Sequence, residues 1–260
     1  SCHAINWHVV TNSRPITHVT ILHHPVRQCG GGNSWLATES TRRHRSEALH
    51  RQHLAYGDNM TADKRVGHLP ALVEEDLNDA QAELWNDITK GPRGAAPWMV
   101  QNGSLTGPFN AWLQIPQIGK AFAAAGEHLR FTSSLDAITR ELVILTVGAH
   151  WRSEFEFWAH AGIARDAGMK EALISAVESG SVDAVRSASD DDGHPLIFAA
   201  VQALVEQGVI PAAHLFELIN VVGESTAVEI VALAGYYTLV SFTLNTFAVP
   251  LPDGEQSRFA

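Results

Sequence analysis

Residues 140–160 read RELVILTVGAHWRSEFEFWAH, and this stretch decides the fold. Apolar residues recur within it and just before it at spacings of three and four, which predicts one buried helical stripe. These positions are Leu135, Ile138, Leu142, Leu145 and Ala149. Arg140 and Glu141 interrupt the apolar run, where a charge is costly unless it is paired or used in chemistry.

A second helix is predicted directly after the first. Glu156 and His160 stand four residues apart in it, so they share one helical face and can touch. The apolar stripe continues through Ile163 and Ala167, which directs this pair toward packed surface. Gly168 is placed to end the helix.

Helical spacing also dominates the rest of the chain after Leu72. Ser133 or Ser134 is the expected N-cap of the central helix, and Gly235 is placed to allow a close helix crossing. The other predicted helices are Leu72–Thr89, one opened by Pro116, and Glu171–Val177, Val182–Arg186, Pro195–Glu206, Pro211–Val222 and Thr226–Phe247. No alternating strand and no glycine-rich nucleotide loop is visible, so the predicted fold class is all-α.

Composition narrows the class of protein. The 260 residues are 45% hydrophobic and 18% charged, as in a soluble globular protein, and we expect no apolar run to reach the length that spans a bilayer. The net charge of −10 argues against nucleic acid or an acidic membrane as a partner. From Met60 onward there is no cysteine, which excludes disulfide scaffolding and thiol catalysis there and suits the cytoplasm as the expected location.

The chain divides by composition into two parts. Residues 1–59 hold both cysteines and eight of the fourteen histidines and lack any sustained helical or strand period, so we predict a mostly disordered leader. Residues 60–260 form the predicted helical domain. A metal-binding tail is the alternative for the first part, using His23, His24, His44, His50 and His53.

Several separated motifs resemble the carboxymuconolactone decarboxylase family of the AhpD-like superfold, in a branch without cysteines. The resemblance covers roughly residues 66–254. It rests on Arg140-Glu141-Leu142, Glu156, Trp158, His160, Ala164 and Gly168, on residues 107–112, and on the run from Gly235 to Pro252. It implies an AhpD-like helical fold and assembly into homotrimers or homohexamers.

The resemblance also shows which residues of this chain stand at the catalytic positions of the peroxidase branch. The peroxidase branch uses a glutamate, two cysteines three residues apart, and a histidine four residues beyond the second cysteine. On this chain those positions are Glu141, Ser153, Glu156 and His160. A hydroxyl and a carboxylate cannot cycle through a disulfide, so the cysteine-based peroxidase reaction is disfavoured.

The decarboxylase branch implies a cofactor-independent lyase with no metal and no organic cofactor. Its substrate would be 4-carboxymuconolactone or another small lactone or cyclic acid from aromatic-compound catabolism. In this interpretation His160, Glu156 and Glu141 are the catalytic residues, which desolvate a carboxylate, stabilise an enolate and return a proton to carbon. The expected substrate-binding residues are Trp151, Phe155, Trp158 and Ser153.

Other interpretations of the same residues remain open. Glu141, Glu156 and His160 could instead ligate a divalent metal ion, or the domain could be a non-catalytic oligomer that binds a small hydrophobic ligand. Purely structural roles are also possible, with Glu156 paired to Arg152 and Glu141 paired to Arg140 or Arg165. In that case Trp112, Trp151 and Trp158 would pack in the core, and Tyr236 and Tyr237 would pack at an interface.

Overall fold

The computed structural model describes residues 65–259, and these residues form ten α-helices and two short β-hairpins. The helices are α1 (Asp79–Lys90), α2 (Phe109–Leu113), α3 (Pro116–Phe131), α4 (Ala137–His150), α5 (Glu154–Asp166), α6 (Glu171–Glu178), α7 (Val182–Ala188), α8 (His194–Gln207), α9 (Ala212–Val222) and α10 (Glu224–Thr246). The all-α prediction is confirmed. The described residues belong to the compact unit Met60–Ala260. The predictions for residues 1–59 lie outside the described residues.

The strands are two residues long and make antiparallel pairs. Strand β1 (Arg65–Val66) pairs with β2 (Leu69–Pro70), and β3 (Val100–Gln101) pairs with β4 (Ser104–Leu105). Strands this short lie below the length at which alternation of apolar and polar residues can be recognised, so the sequence pattern does not reveal them.

Helix α1 begins at Asp79, so the prediction that it begins at Leu72 is wrong. The Asn78 side chain accepts a hydrogen bond from the Gln81 backbone N–H, and the Gln81 side chain accepts one from the Asn78 backbone N–H. This reciprocal capping box fixes the start of the helix. Leu72 instead donates its N–H to Asn110 Oδ1 at 2.9 Å, which ties the preceding segment to α2.

Helix α4 forms the centre of the domain and packs against α5, α6, α8 and α10. Its N-cap is Asp136, whose carboxylate accepts hydrogen bonds from two backbone N–H groups, and not Ser133 or Ser134 as predicted. Ser134 is diverted because its N–H and hydroxyl bind the Glu229 carboxylate on α10. The fully buried side chains of α4 include Leu142, Val143, Ile144 and Leu145.

A tight turn returns the chain from α4 into α5. Arg152 adopts a left-handed backbone conformation with φ of 48°, and Ser153 donates its N–H to Gly148 O at 2.9 Å. Because the turn is short, α5 packs directly on α4. A residue early in α4 therefore faces a residue halfway along α5.

Helix α10 is 23 residues long, and its most apolar stretch has a mean hydropathy of 1.6. By length and composition alone it could cross a membrane, which corrects the expectation that no apolar run is long enough. A core helix of a folded domain has the same composition, and 44% of this stretch is buried within the fold.

Close helix crossing occurs at Gly126 of α3, not at Gly235 of α10. A Cβ atom built on Gly235 would meet nothing within 4 Å, so the predicted role of Gly235 is wrong. A Cβ atom on Gly126 would lie 2.0 Å from Tyr236 Oη and 2.7 Å from Arg93 Nη2. The bare backbone of Gly126 thus allows Tyr236 and Arg93 to sit against α3.

Candidate active site

The three predicted catalytic side chains meet inside the domain. His160 Nδ1 lies 2.6 Å from Glu141 Oε2, and His160 Nε2 lies 3.3 Å from Glu156 Oε1. The first contact has hydrogen-bond geometry, whereas Glu156 Oε1 has no hydrogen-bond partner among the described residues. Glu141, Glu156 and His160 are 0%, 3% and 6% exposed, so the cluster is shielded from bulk water.

Glu141 is a buried carboxylate with cationic surroundings. Burial acts to raise its pKa, but His160, Arg130 and Arg140 together hold the pKa below the usual glutamate value. Arg140 Nε lies 3.6 Å from Glu141 Oε1, so an ion pair with Arg140 coexists with the bond to His160. Arg165 does not take part, because it pairs with Glu171.

The other two groups are uncharged at neutral pH. Burial raises the pKa of Glu156 to about 8, despite the opposing charges of Arg130 and Arg93. Burial also lowers the pKa of His160, against the opposing influence of Glu141. His160 is therefore a neutral imidazole that donates its Nδ1–H to Glu141 and turns the Nε2 lone pair toward the protonated Glu156 carboxyl.

This arrangement can move a proton. Ionised Glu141 fixes the tautomer of His160 and stabilises an imidazolium if one forms, as the acid of a catalytic triad does. Protonated Glu156 is a general acid with a pKa close to neutral pH, where acid–base catalysis is most efficient. The 3.3 Å between Glu156 Oε1 and His160 Nε2 is short enough for a proton to pass from one group to the other.

A small cavity of about 40 Å³ lies beside Glu156 and His160. Its walls are mainly aromatic, which keeps the local dielectric low and strengthens any charge interaction inside. The lining includes Trp98, Phe109, Trp112, Phe155, Tyr236 and Tyr237, together with Arg93 and Arg130. A cavity of this size holds ordered water or part of a small ligand.

Of the four residues predicted to bind substrate, Phe155 lines this cavity. Trp151, Ser153 and Trp158 are not among its lining residues. Trp151 instead donates its indole N–H to Thr238 Oγ1 at 3.2 Å, at the turn that follows α4. Ser153 is fully buried at the N-cap position of α5. The Trp151 side chain therefore ties the α4–α5 turn to α10, whereas Ser153 Oγ has no hydrogen-bond partner among the described residues.

A larger cleft of about 760 Å³ lies next to the small cavity. Trp98 and Ala159 line both spaces, and Trp158 lines the larger one. The Trp98 ring meets Phe155 and Trp158 edge-on, at centroid distances of 5.5 and 6.0 Å. The C-terminal segment Gly254–Arg258 also lines the cleft. Trp98 is thus shared by the cavity beside the acid–base cluster and the larger cleft.

Sequence reasoning missed two arginines of the site. Arg93 lies in a 3₁₀ turn (Pro92–Ala95) and is 6% exposed, and Arg130 lies near the end of α3. An isolated arginine carries no periodic signal, and nothing in the local sequence marks these two as facing inward. The one available hint is the break Gly91-Pro92-Arg93-Gly94, which places a charged residue between two breaker residues.

The metal alternative has no support in the local geometry. Within residues 65–259, no three histidine, cysteine or acidic side chains are arranged to hold a metal ion. Both ring nitrogens of His160 face carboxyl oxygens instead.

Two comparisons with known proteins show what this chain is similar to, first in fold and then in sequence. Its fold is similar to the crystal structure of an alkylhydroperoxidase AhpD core, an uncharacterised peroxidase-related protein from Ralstonia eutropha JMP134. The similarity covers 73% of this chain and 94% of that chain, with 18% sequence identity and a TM-score of 0.56. At this identity the similarity establishes an AhpD-like helical fold and nothing further.

Residues 116–206, which run from α3 into α8, match the carboxymuconolactone decarboxylase family. The match supports the resemblance stated from the motifs over this part of the chain. No curated protein matches the sequence. The family segment contains Glu141, Glu156, His160 and Arg130, whereas Arg93 and the two tyrosines of the cavity come from outside it.

Proposed function

We propose that the protein is a cofactor-independent carbon–carbon lyase that decarboxylates a small unsaturated lactone acid such as 4-carboxymuconolactone. Such a reaction belongs to aromatic-compound catabolism, and a cytoplasmic location would fit it. The observation that carries the proposal is the buried set of ionised Glu141, neutral His160 and protonated Glu156 beside an aromatic cavity.

The chemistry requires one proton for each carbon dioxide released. The bond between the carboxylate carbon and the ring breaks, and its electron pair delocalises toward the lactone carbonyl to give an enolate. Glu156 then donates its proton to the ring carbon, and the enolate collapses to the product. Glu156 recovers a proton from water, and His160 can hold it in transit because Glu141 stabilises the imidazolium.

The aromatic walls have a defined part in this scheme. A carboxylate loses carbon dioxide more readily when it is not hydrated, because water stabilises its charge in the ground state. Trp98, Phe109 and Phe155 offer the departing group no strong hydrogen bond donors on their faces. A cysteine-based peroxidase reaction is not proposed, since Ser153 and Glu156 occupy the positions of the two cysteines.

Incubation with 4-carboxymuconolactone, followed by its ultraviolet absorbance and by carbon dioxide release, tests the proposal. We expect turnover by the wild-type protein and a loss in kcat of about 10²–10⁴-fold in Glu156→Gln and in His160→Gln. The matched controls Glu206→Gln and His214→Gln change exposed residues and should leave kcat unaltered. An intact lactone in the presence of folded wild-type protein would exclude this substrate, and unimpaired E156Q and H160Q variants would exclude the assigned roles.

A further inference from the structure

Two guanidinium groups face the cavity from separate parts of the chain. Arg93 comes from the turn before β3, and Arg130 comes from the C-terminal end of α3. Among the described residues, neither has a carboxylate oxygen within 4.0 Å of its nitrogens, although ion pairs of other arginines are present, such as that of Arg165 with Glu171. Arg93 is buried, and a buried charge normally has a partner, so its lack of a carboxylate is unusual. Arg130 is half-buried, and its guanidinium carbon lies 5.1 Å from the centre of the Phe131 ring.

Arg93 is held in place with part of its donor capacity unused. Its Nη2 donates to Ala123 O at 3.0 Å, and its guanidinium carbon lies 5.7 Å from the centre of the Phe109 ring. Its Nε is buried and has no hydrogen-bond partner among residues 65–259. Buried polar groups are nearly always satisfied by protein, water or ligand, so this donor indicates a group that binds beside it.

The charged groups around the cavity leave it with a net positive charge. The two arginines contribute two positive charges at its wall, while the Glu156 carboxyl on the same wall is protonated at neutral pH. The ionised Glu141 is already bonded to His160 and lies near Arg140. An anionic ligand would therefore meet uncompensated positive charge.

We propose that Arg93 and Arg130 form a carboxylate-binding subsite, and that it holds the carboxylate of the substrate that is retained, not the one that is lost. This inference rests on the proposed decarboxylation and assigns the residues that bind the retained carboxylate. A guanidinium paired with the departing carboxylate would stabilise the ground state more than the transition state and would slow the loss of carbon dioxide. The departing group lies toward the apolar walls in this arrangement.

Benzoate is a suitable probe, with benzamide as an uncharged control of nearly the same shape. We expect isothermal titration calorimetry to show binding of benzoate to the wild-type protein and at least about tenfold weaker binding of benzamide. Arg130→Gln and Arg93→Gln should each weaken benzoate binding at least about tenfold, because each removes a charge-assisted hydrogen bond. Arg186→Gln, on the exposed face of α7, is the matched control and should have no effect.

Arg93 is buried, so Arg93→Lys accompanies Arg93→Gln to preserve the charge if the glutamine variant fails to fold. The lysine variant should retain part of the affinity for benzoate. Equal affinity for benzoate and benzamide, no benzoate binding, or full affinity in Arg130→Gln would overturn the subsite. If the proteins are active on the lactone, the subsite predicts a raised KM with kcat little changed, and a fall in kcat alone would assign the arginines to enolate stabilisation instead.

Benzoate binding is measured without turnover, so the two proposals fail separately. Arginine-dependent benzoate binding in a protein that leaves the lactone intact would retain the subsite and remove the decarboxylase function. Turnover of the lactone together with benzoate binding that does not depend on the arginines would retain the decarboxylase function and remove the subsite.

Discussion

The raised pKa of Glu156 suits acid catalysis but lowers the stability of the fold as pH rises. Its pKa is raised from 4.5 to about 8 because burial penalises the carboxylate, and Arg130 and Arg93 only partly offset this. The folded protein therefore keeps a proton that the unfolded chain releases at lower pH. Ionisation of Glu156 favours the unfolded state, so the residue makes the fold less stable as pH rises between these two values.

Replacing Glu156 by Gln should remove this pH-dependent penalty, because the amide resembles the protonated acid and never ionises. A displacement of pKa from 4.5 to about 8 corresponds to roughly 5 kcal/mol at full ionisation. We expect the difference in Tm between E156Q and the wild-type protein to grow in favour of E156Q from pH 5 to pH 8. Scanning calorimetry at intervals of pH measures it.

Other groups near Glu156 titrate in both proteins, so they largely cancel in this difference. Glu141 contributes stability that is present above its unfolded pKa and lost as pH falls, whereas His160 loses stability as pH falls below its unfolded pKa. Glu206→Gln provides the control, since Glu206 is exposed. A difference in Tm that stays constant from pH 5 to pH 8 would mean that Glu156 is ionised in the fold.

At the scale of helices, sequence periodicity predicts contacts within one element better than contacts between elements. The spacing of Glu156 and His160 on α5 is enough to place them together. Their meeting with Glu141 depends on the α4–α5 turn, which the continuous apolar stripe indicates only indirectly. Arg93 is the opposite case, because its position in the cavity depends on the packing of a turn against α3 and α10, and no local pattern encodes it.

Two residues that are close in sequence can point to different parts of the fold when a turn lies between them. Trp151 lies four residues before Phe155, but it follows α4 and binds Thr238, whereas Phe155 lies in α5 and faces the cavity. The helix boundary at Ser153 changes the direction of the side chains between them. A prediction that uses only the aromatic composition of the stretch does not reveal this change of side-chain direction.

Two glycines make the packing of α3 against α10 testable. Gly126→Ala should destabilise the fold by about 1–3 kcal/mol, because the new methyl group overlaps the Tyr236 ring, which is held by a hydrogen bond to Phe122 O. Gly235→Ala should stabilise it by about 0.5–1 kcal/mol, because alanine favours a helix interior and the space there is open. Urea unfolding at constant m-value measures both. Changes of the same sign in both variants would contradict this account of the crossing.

At the scale of the whole molecule, α9 and α10 leave apolar side chains uncovered. Leu218 is the buried residue of α9, although most of the helix is apolar. The exposed positions on the two helices include Phe216, Val221, Val228 and Val231, with Phe216 and Val228 at 66% and 70% exposure. Large apolar surface of this kind commonly marks an interface between subunits. The self-association implied by the family resemblance is therefore a proposal that this surface can test.

We predict that the protein is a homo-oligomer in solution and that the double variant Phe216→Glu, Val228→Glu is a monomer. Burying one such side chain in an interface contributes about 1.5–3 kcal/mol, and an unpaired carboxylate in the same place opposes association. Light scattering coupled to size-exclusion chromatography gives the mass directly. Val100→Glu, at a 42% exposed position in the β3–β4 hairpin, is the control and should keep the wild-type mass. A monomeric wild-type protein, or a double variant of unchanged mass, would mean that these helices do not form the interface.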